Sequence, residues 1–275
     1  SLLTGRQDIA MGLNPDAIET VRAAGAKAYI SIEPAVFGIS FITFKPGPWQ
    51  DVRVRRALNM AVDRQRIIDA LLAGATVPTG QPAAHGVIGY DPDIEPYPYD
   101  PEAAKRLLAE AGYPDGFRFV LECATGIDPN DSSVYQQLQT DLAAVDVKMD
   151  ITTMPPTQFF NALRLTDFTG DAFPVDWPSW PTMDVTRGVL AHSCERINPW
   201  YCDPGAMPLL VKARTTWDPD EALALKRELM RRYHDAAPAI FMYETANFVG
   251  LSERVAGFDI VNGTHISFET VTLSP

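Results

Sequence analysis

The sequence predicts an α/β fold, a mixed sheet with flanking helices, and three observations carry that reading. The first is a β-α-β run. Phe117, Phe119, Leu121 and Cys123 alternate, Val134, Leu138 and Leu142 recur at helical spacing, and Val147, Met149 and Ile151 alternate again. A unit of this kind joins parallel strands. The second is a set of helix openings at Asp51, Asp63, Asp100-Pro101 and Asp218-Pro219, each followed by an apolar stripe. The third is the apolar, β-branched stretch from Phe37 to Phe44, suited to a buried strand and broken by Lys45-Pro46-Gly47-Pro48.

The remaining elements follow in order. Asn14-Pro15 opens a helix carried by Ala17, Ile18, Val21 and Ala24 and stopped at Gly25; a strand from Lys27 to Ile32 comes next. After the break at 45–48, read as a boundary or hinge, Val54, Ala57, Leu58 and Ala61 form one helical face, and Ile67, Ile68, Leu71 and Leu72 form the next. Residues 75–100 are proline-dense and aperiodic, so an extended loop is expected there, pinned by Tyr90, Tyr97 and Tyr99. Ala103, Ala104, Leu107, Leu108 and Ala111 face the core from a helix ended by Gly112 and Pro114. A short helix over 158–165 precedes Phe173 to Pro181, whose prolines predict a rigid loop. A long helix through Leu223, Leu229 and Tyr233 then leads to closing strands at 239–243 and 248–251.

Composition narrows the function. Of the 275 residues, 46% are hydrophobic and 21% charged, as in ordinary folded chains. Lys plus Arg total 23 against 35 Asp plus Glu, and the resulting net charge of −12 repels nucleic acid and anionic lipid. The longest apolar run, Ala35 to Phe44, falls short of the roughly 18 to 20 residues that cross a bilayer. The opening Ser1 to Gly5 carries no secretion signal and reads as a chain entered partway through a helix or turn. Cys194 and Cys202 are spaced so that a disulfide is permitted, whereas a zinc reading with His192 has only a loose three-ligand set. No nucleophile elbow, phosphate-cradling glycine loop or His-Glu-x-x-His helix occurs, and no cofactor is expected. The arginines at 53, 55, 56, 64 and 66 resemble an anion patch, but ion pairs with Asp51, Asp63 and Asp69 explain them more simply.

Two long motifs bear on identity. The run DVRVRRALNMAVDR from Asp51 to Arg64 and the run PYDPEAAKRLLAEAGYPDGF from Pro98 to Phe117 resemble the signatures of the family 5 extracellular solute-binding proteins. These are the oligopeptide and dipeptide receptors of ABC importers. Gly5 to Ile9 and SERVAGF from Ser252 to Phe258 resemble further elements of that family. The resemblance implies the C-terminal part of a periplasmic-binding-protein-like clamshell, type II and cluster C-like. Residues 1–44 and 244–275 would belong with the N-terminal lobe and 45–243 would form the C-terminal lobe. It also implies a monomer that is not an enzyme, located in the periplasm or outside the cell and anchored through an N-terminus not included here. Its partners would be a small solute, a peptide first, and a membrane permease, with no nucleic acid. The oxidising compartment would make a Cys194–Cys202 disulfide the default and leave Cys123 free.

In peptide-binding relatives an Asp in an aromatic-rich loop pairs with the ligand's α-ammonium, and Asp176, between Phe173 and Trp177, occupies the matching place. Trp177 and Trp180 would wall the pocket by stacking or cation–π contact. From the residues alone the same segment reads as a core plug whose Asp caps a backbone N–H. The rival function is a hydrolase or transferase with its site in the loop at 173–181, using Asp176 and His192.

Overall fold

The computed structural model describes residues 1–261 and 265–274. A short strand β1 (Ile9–Ala10) and helix α1 (Ala17–Ala23) lead into β2 (Lys27–Phe41). Helices α2 (Val52–Met60), α3 (Arg64–Leu71) and α4 (Pro101–Glu110) follow, then β3 (Phe117–Cys123), α5 (Asp131–Ala143) and β4 (Val147–Thr153). Next come α6 (Pro156–Leu165), β5 (Ala172–Pro178), α7 (Val185–Ala191), α8 (Met207–Thr215), α9 (Pro219–Ala236) and β6 (Ala239–Leu251). Short strands β7 (Val255–Ala256), β8 (Asp259–Val261), β9 (His265–Ser267) and β10 (Thr272–Leu273) close the chain.

Six strands form one mixed sheet in the order β1-β6-β2-β5-β3-β4. β3 pairs with β4 in parallel from Phe117↔Val147 to Cys123↔Thr153, as the alternation at 117–153 predicts. β2 and β6 run antiparallel from Lys27↔Leu251 to Ser40↔Ala239 and form the spine. Each was expected as two separate strands. The chain instead stays extended, and the register shifts between Ile32 and Val36, where Pro34 cannot donate to a ladder.

Side-chain alternation along the spine separates two cores. Phe37, Ile39, Phe41, Ile240 and Met242 face Val54, Leu58, Ile67 and Leu138 on the α2, α3 and α5 side. Val36, Phe173, Trp177, Ala239 and Phe241 face Val189, Leu210, Leu229 and Tyr233 on the α7, α8 and α9 side. Burial on both faces explains why these strands read as continuous apolar runs.

The helix starts follow the sequence. The carboxylates of Asp51, Asp63, Asp100 and Asp218 accept from the amides of Arg53, Arg66, Ala103 and Glu221 at 2.8–3.1 Å. At the entry to β3, Gly116 has φ +69°, and a Cβ there would collide with the Asp146 carbonyl oxygen.

Two expectations need correction here. The segment at 173–181 is not a loop: residues 172–178 form β5, paired with β2 from Ala35↔Pro178 to Phe41↔Ala172. Its prolines are tolerated for an identifiable reason. The Ser179 amide donates to the Pro34 carbonyl, so odd-numbered amides turn toward β2 and the even positions Pro174 and Pro178 turn to the other edge. Along that edge β3 pairs only at Leu121↔Ala172.

The arginines of the first motif are also not all ion-paired. Arg53 meets Asp51, while Arg66 meets Asp63 and Asp141. Arg55 and Arg64 are buried and donate to carbonyls instead, and Asp69 accepts from Gln65. Arg55 clamps Trp49, Gln50, Ala236 and Ala237. Arg64 reaches the Phe241 carbonyl at 2.5 Å and the Asn59 side-chain oxygen at 2.8 Å. Asn59 in turn donates to the carbonyls of Arg55 and Ala239. These residues fasten α2 and α3 to the C-terminus of α9 and the start of β6. Burial lowers the Arg64 guanidinium to about 10, which leaves it a cation at neutral pH.

Candidate functional site

Asp176 lies on the face of β5 opposite Trp177, because neighbouring side chains in a strand alternate. It lines a cavity of about 200 Å³ with Phe37 of β2, Tyr135 of α5, Phe159 and Phe160 of α6, and Asp128. Asp128 belongs to the turn between β3 and α5. That turn is held by Asp131, which accepts from the Ile127 amide at 3.0 Å, and by Asn130, which donates to the Leu71 carbonyl at 2.8 Å. Thr245 of β6 donates its hydroxyl to Asp176 Oδ1 at 3.0 Å. Glu33, at the register shift of β2, accepts from the Asn247 amide.

The three carboxylates share an electrostatic problem. Burial, with Asp128 and Glu33 nearby, pushes the Asp176 carboxyl up to about 8 despite the Thr245 hydrogen bond. Burial and the charges of Asp131 and Glu33 push Asp128 up to about 6. Burial also raises Glu33, against the pull of Asn247. Among the described residues none of the three has a Lys, Arg or His within ion-pair distance. Asp176 and Asp128 make the wall acidic, its rim is apolar through Phe160 and Ile127, and a cation entering it would draw the proton off Asp176 and pair with the carboxylate that forms.

The remaining residues expected at the site lie elsewhere. Phe173 is fully buried, stacked on Phe168 with centroids 4.3 Å apart and edge-on to Trp200. Trp177 is also fully buried, stacked on His192 at 3.6 Å and edge-on to Tyr233 and Phe241. Neither ring lines the cavity, because both are packed in the core against α7, α8 and α9. Trp180 is 41% exposed and stands outside the cavity lining.

His192 is the neutral hub of an aromatic cluster. Trp200 Nε1 donates to its Nδ1 at 3.2 Å, which leaves Nε2 as the protonated ring nitrogen. Burial lowers its imidazole to about 3. Cys194 and Cys202 form a disulfide around this cluster, and Cys123 is free and buried.

Sequence reasoning missed Asp128, Glu33 and Thr245. Each comes from a different element, and only the fold brings them beside Asp176.

The family model for bacterial extracellular solute-binding proteins, family 5 Middle, matches residues 1–194. The chain belongs to that family. Among its relatives are heme-binding protein A of Haemophilus influenzae, 29% identical over 82% of this chain and 43% of the relative, and the dipeptide-binding protein of Escherichia coli, 26% identical over 94% of this chain and 50% of the relative. A glutathione-binding protein of Pectobacterium atrosepticum is 28% identical over 82% of this chain and 46% of its own length. The chain thus spans about half the length of the curated relatives it matches.

Solved structures of this fold superpose over nearly the whole family 5 chain. HbpA2 from Haemophilus parasuis gives a TM-score of 0.82 at 26% identity, covering 100% of this chain and 55% of that one. The periplasmic binding protein DppA from Helicobacter pylori, solved with a peptide, gives 0.88 at 23% identity, covering 99% and 54%. The α/β fold of a clamshell lobe, implied by the two motifs, is therefore the fold observed.

Proposed function

We propose that this chain supplies one wall of a two-lobed receptor that captures a small solute carrying an ammonium group, a short peptide first, and delivers it to an ABC permease. The observation that carries the reading is Asp176, a carboxylate at a cavity wall with two more carboxylates nearby and no cationic partner among the described residues. The names of the relatives span heme, dipeptide and glutathione. Dipeptides and glutathione carry an α-ammonium that would favour ionisation of Asp176 and pair with it, whereas the propionates of heme would bring negative charge to the acidic wall of Asp176 and Asp128 and find no cation there. Residues 45–243, together with the stretch of β2 from Ala35 to Phe41 that pairs with β5, form the lobe that closes on the solute, while the rest of 1–44 and 244–275 join it to the other lobe. Closure follows from tighter binding to the shut form. The receptor works outside the cytoplasm, where the Cys194–Cys202 disulfide persists.

A catalytic reading is disfavoured by the placement of its two residues. His192 is buried, neutral and hydrogen-bonded on the far face of β5 from the Asp176 carboxylate. Native mass spectrometry of the receptor purified without denaturation tests the proposal. A retained peptide-sized, amine-bearing solute that stabilises the protein against heat without being turned over is expected. A solute released as product, or one lacking an amine, overturns it.

A further inference from the structure

A second groove lies far from Asp176 in chemistry. It has a volume of about 300 Å³ between α7, α8 and α9 and is lined by Asp184, Thr186, Arg187, Arg214 and Lys226. In a chain of net charge −12 this lining holds three cations and one carboxylate. The carboxylate is already committed. Asp184 accepts from the Thr186 amide at 2.9 Å and hydroxyl at 2.7 Å, and its other oxygen meets Lys226 at 2.6 Å in a pair only 12% and 18% exposed. Arg214 has a loose partner, Glu195 at 3.5 Å. Arg187 has no carboxylate within ion-pair distance among the described residues, although it is only partly exposed.

We infer that this groove binds a small oxyanion, phosphate-like in chemistry, held between the guanidinium groups of Arg187 and Arg214. A planar guanidinium offers paired N–H donors that match two oxygens of one anion. The internal pair of Asp184 and Lys226 fixes the floor of the groove and uses up the carboxylate that would otherwise neutralise Arg187. The occupant is either a free oxyanion or the phosphate of a lipid headgroup, and the two share this chemistry.

The test titrates inorganic phosphate calorimetrically into the wild-type protein, Arg187→Gln, Arg214→Gln and, as an exposed control outside the groove, Arg106→Gln. Phosphatidylglycerol vesicles are compared in parallel with phosphatidylcholine vesicles. Saturable phosphate binding weakened about tenfold or more by either groove substitution, and unchanged in the control, is expected. Arg187→Lys keeps the charge without the fork and should fall between wild type and Gln. Arginine-dependent binding to phosphatidylglycerol vesicles alone assigns the same site to a headgroup. Binding to neither probe, or binding that survives both groove substitutions, overturns the inference.

Discussion

Thr245 Oγ1 donates to Asp176 Oδ1 at 3.0 Å, joining β6 to β5 over the strand β2 that lies between them. The contact aims the carboxyl and favours its charged form, but burial outweighs it and Asp176 stays raised to about 8 against an ordinary 3.8. Between those values the folded chain keeps a proton that the unfolded chain has released. Stability of the solute-free protein should therefore fall as pH rises through that window, with Asp128, raised to about 6, adding to the slope below it. Thermal midpoints at about pH 5 and about pH 8 check this, and Asp176→Asn should make the difference between them smaller.

The two tryptophans of the 173–181 segment should behave differently on substitution. Trp177→Ala removes a fully buried ring that contacts His192, Tyr233 and Phe241, and should cost about 3–5 kcal/mol in urea denaturation. Trp180→Ala at the surface should change stability by no more than about 0.5 kcal/mol.

Asn59 should prove as important to stability as a core aromatic. Asn59→Ala leaves the Ala239 carbonyl and an Arg64 N–H without their partners in a buried place, at an expected loss of about 2–4 kcal/mol. Arg64→Lys should not restore wild-type stability to the clamp, because one ammonium cannot span Phe241 and Asn59 as the guanidinium does. Equilibrium denaturation of the two variants measures both effects.

The motif from Asp51 to Arg64 is legible as two capped helices, and the caps are where the sequence puts them. Its arginines are not legible in the same way, because the carbonyls that Arg55 and Arg64 hold belong partly to residues about 180 positions later. The strand β5 was hidden by its prolines, which suggest a loop until the open edge on one side of the strand is seen. At the site, Asp176 stood out by its neighbours. Those neighbours, Phe173 and Trp177, then proved to point away from it, while Asp128, Glu33 and Thr245 carried no local signal at all. Helix α7, seven residues long, was too short for periodicity to reveal.

Removing the disulfide should loosen the cluster that it encloses. Replacing Cys194 and Cys202 together by Ser opens a loop of about nine residues, worth roughly 2.6 kcal/mol in the chain-entropy model. Near-ultraviolet circular dichroism should lose intensity with it, since Trp200 contacts Phe173 and His192 from inside that loop. Unchanged stability and an unchanged spectrum would mean that the aromatic contacts alone hold the segment.

The central claim is that Asp176 is the counter-charge to a solute ammonium. Calorimetric titration of the two-lobed receptor with dialanine and with N-acetyl-dialanine, in wild type and in Asp176→Asn, tests it most directly. If the pair is buried on closure, wild type should bind dialanine and reject the acetylated peptide. The substitution should then cost about 2–5 kcal/mol of dialanine affinity, against under about 1 kcal/mol for an exposed pair. Equal affinity of wild type and Asp176→Asn for dialanine, or equal affinity of wild type for the free and acetylated peptides, would contradict the account.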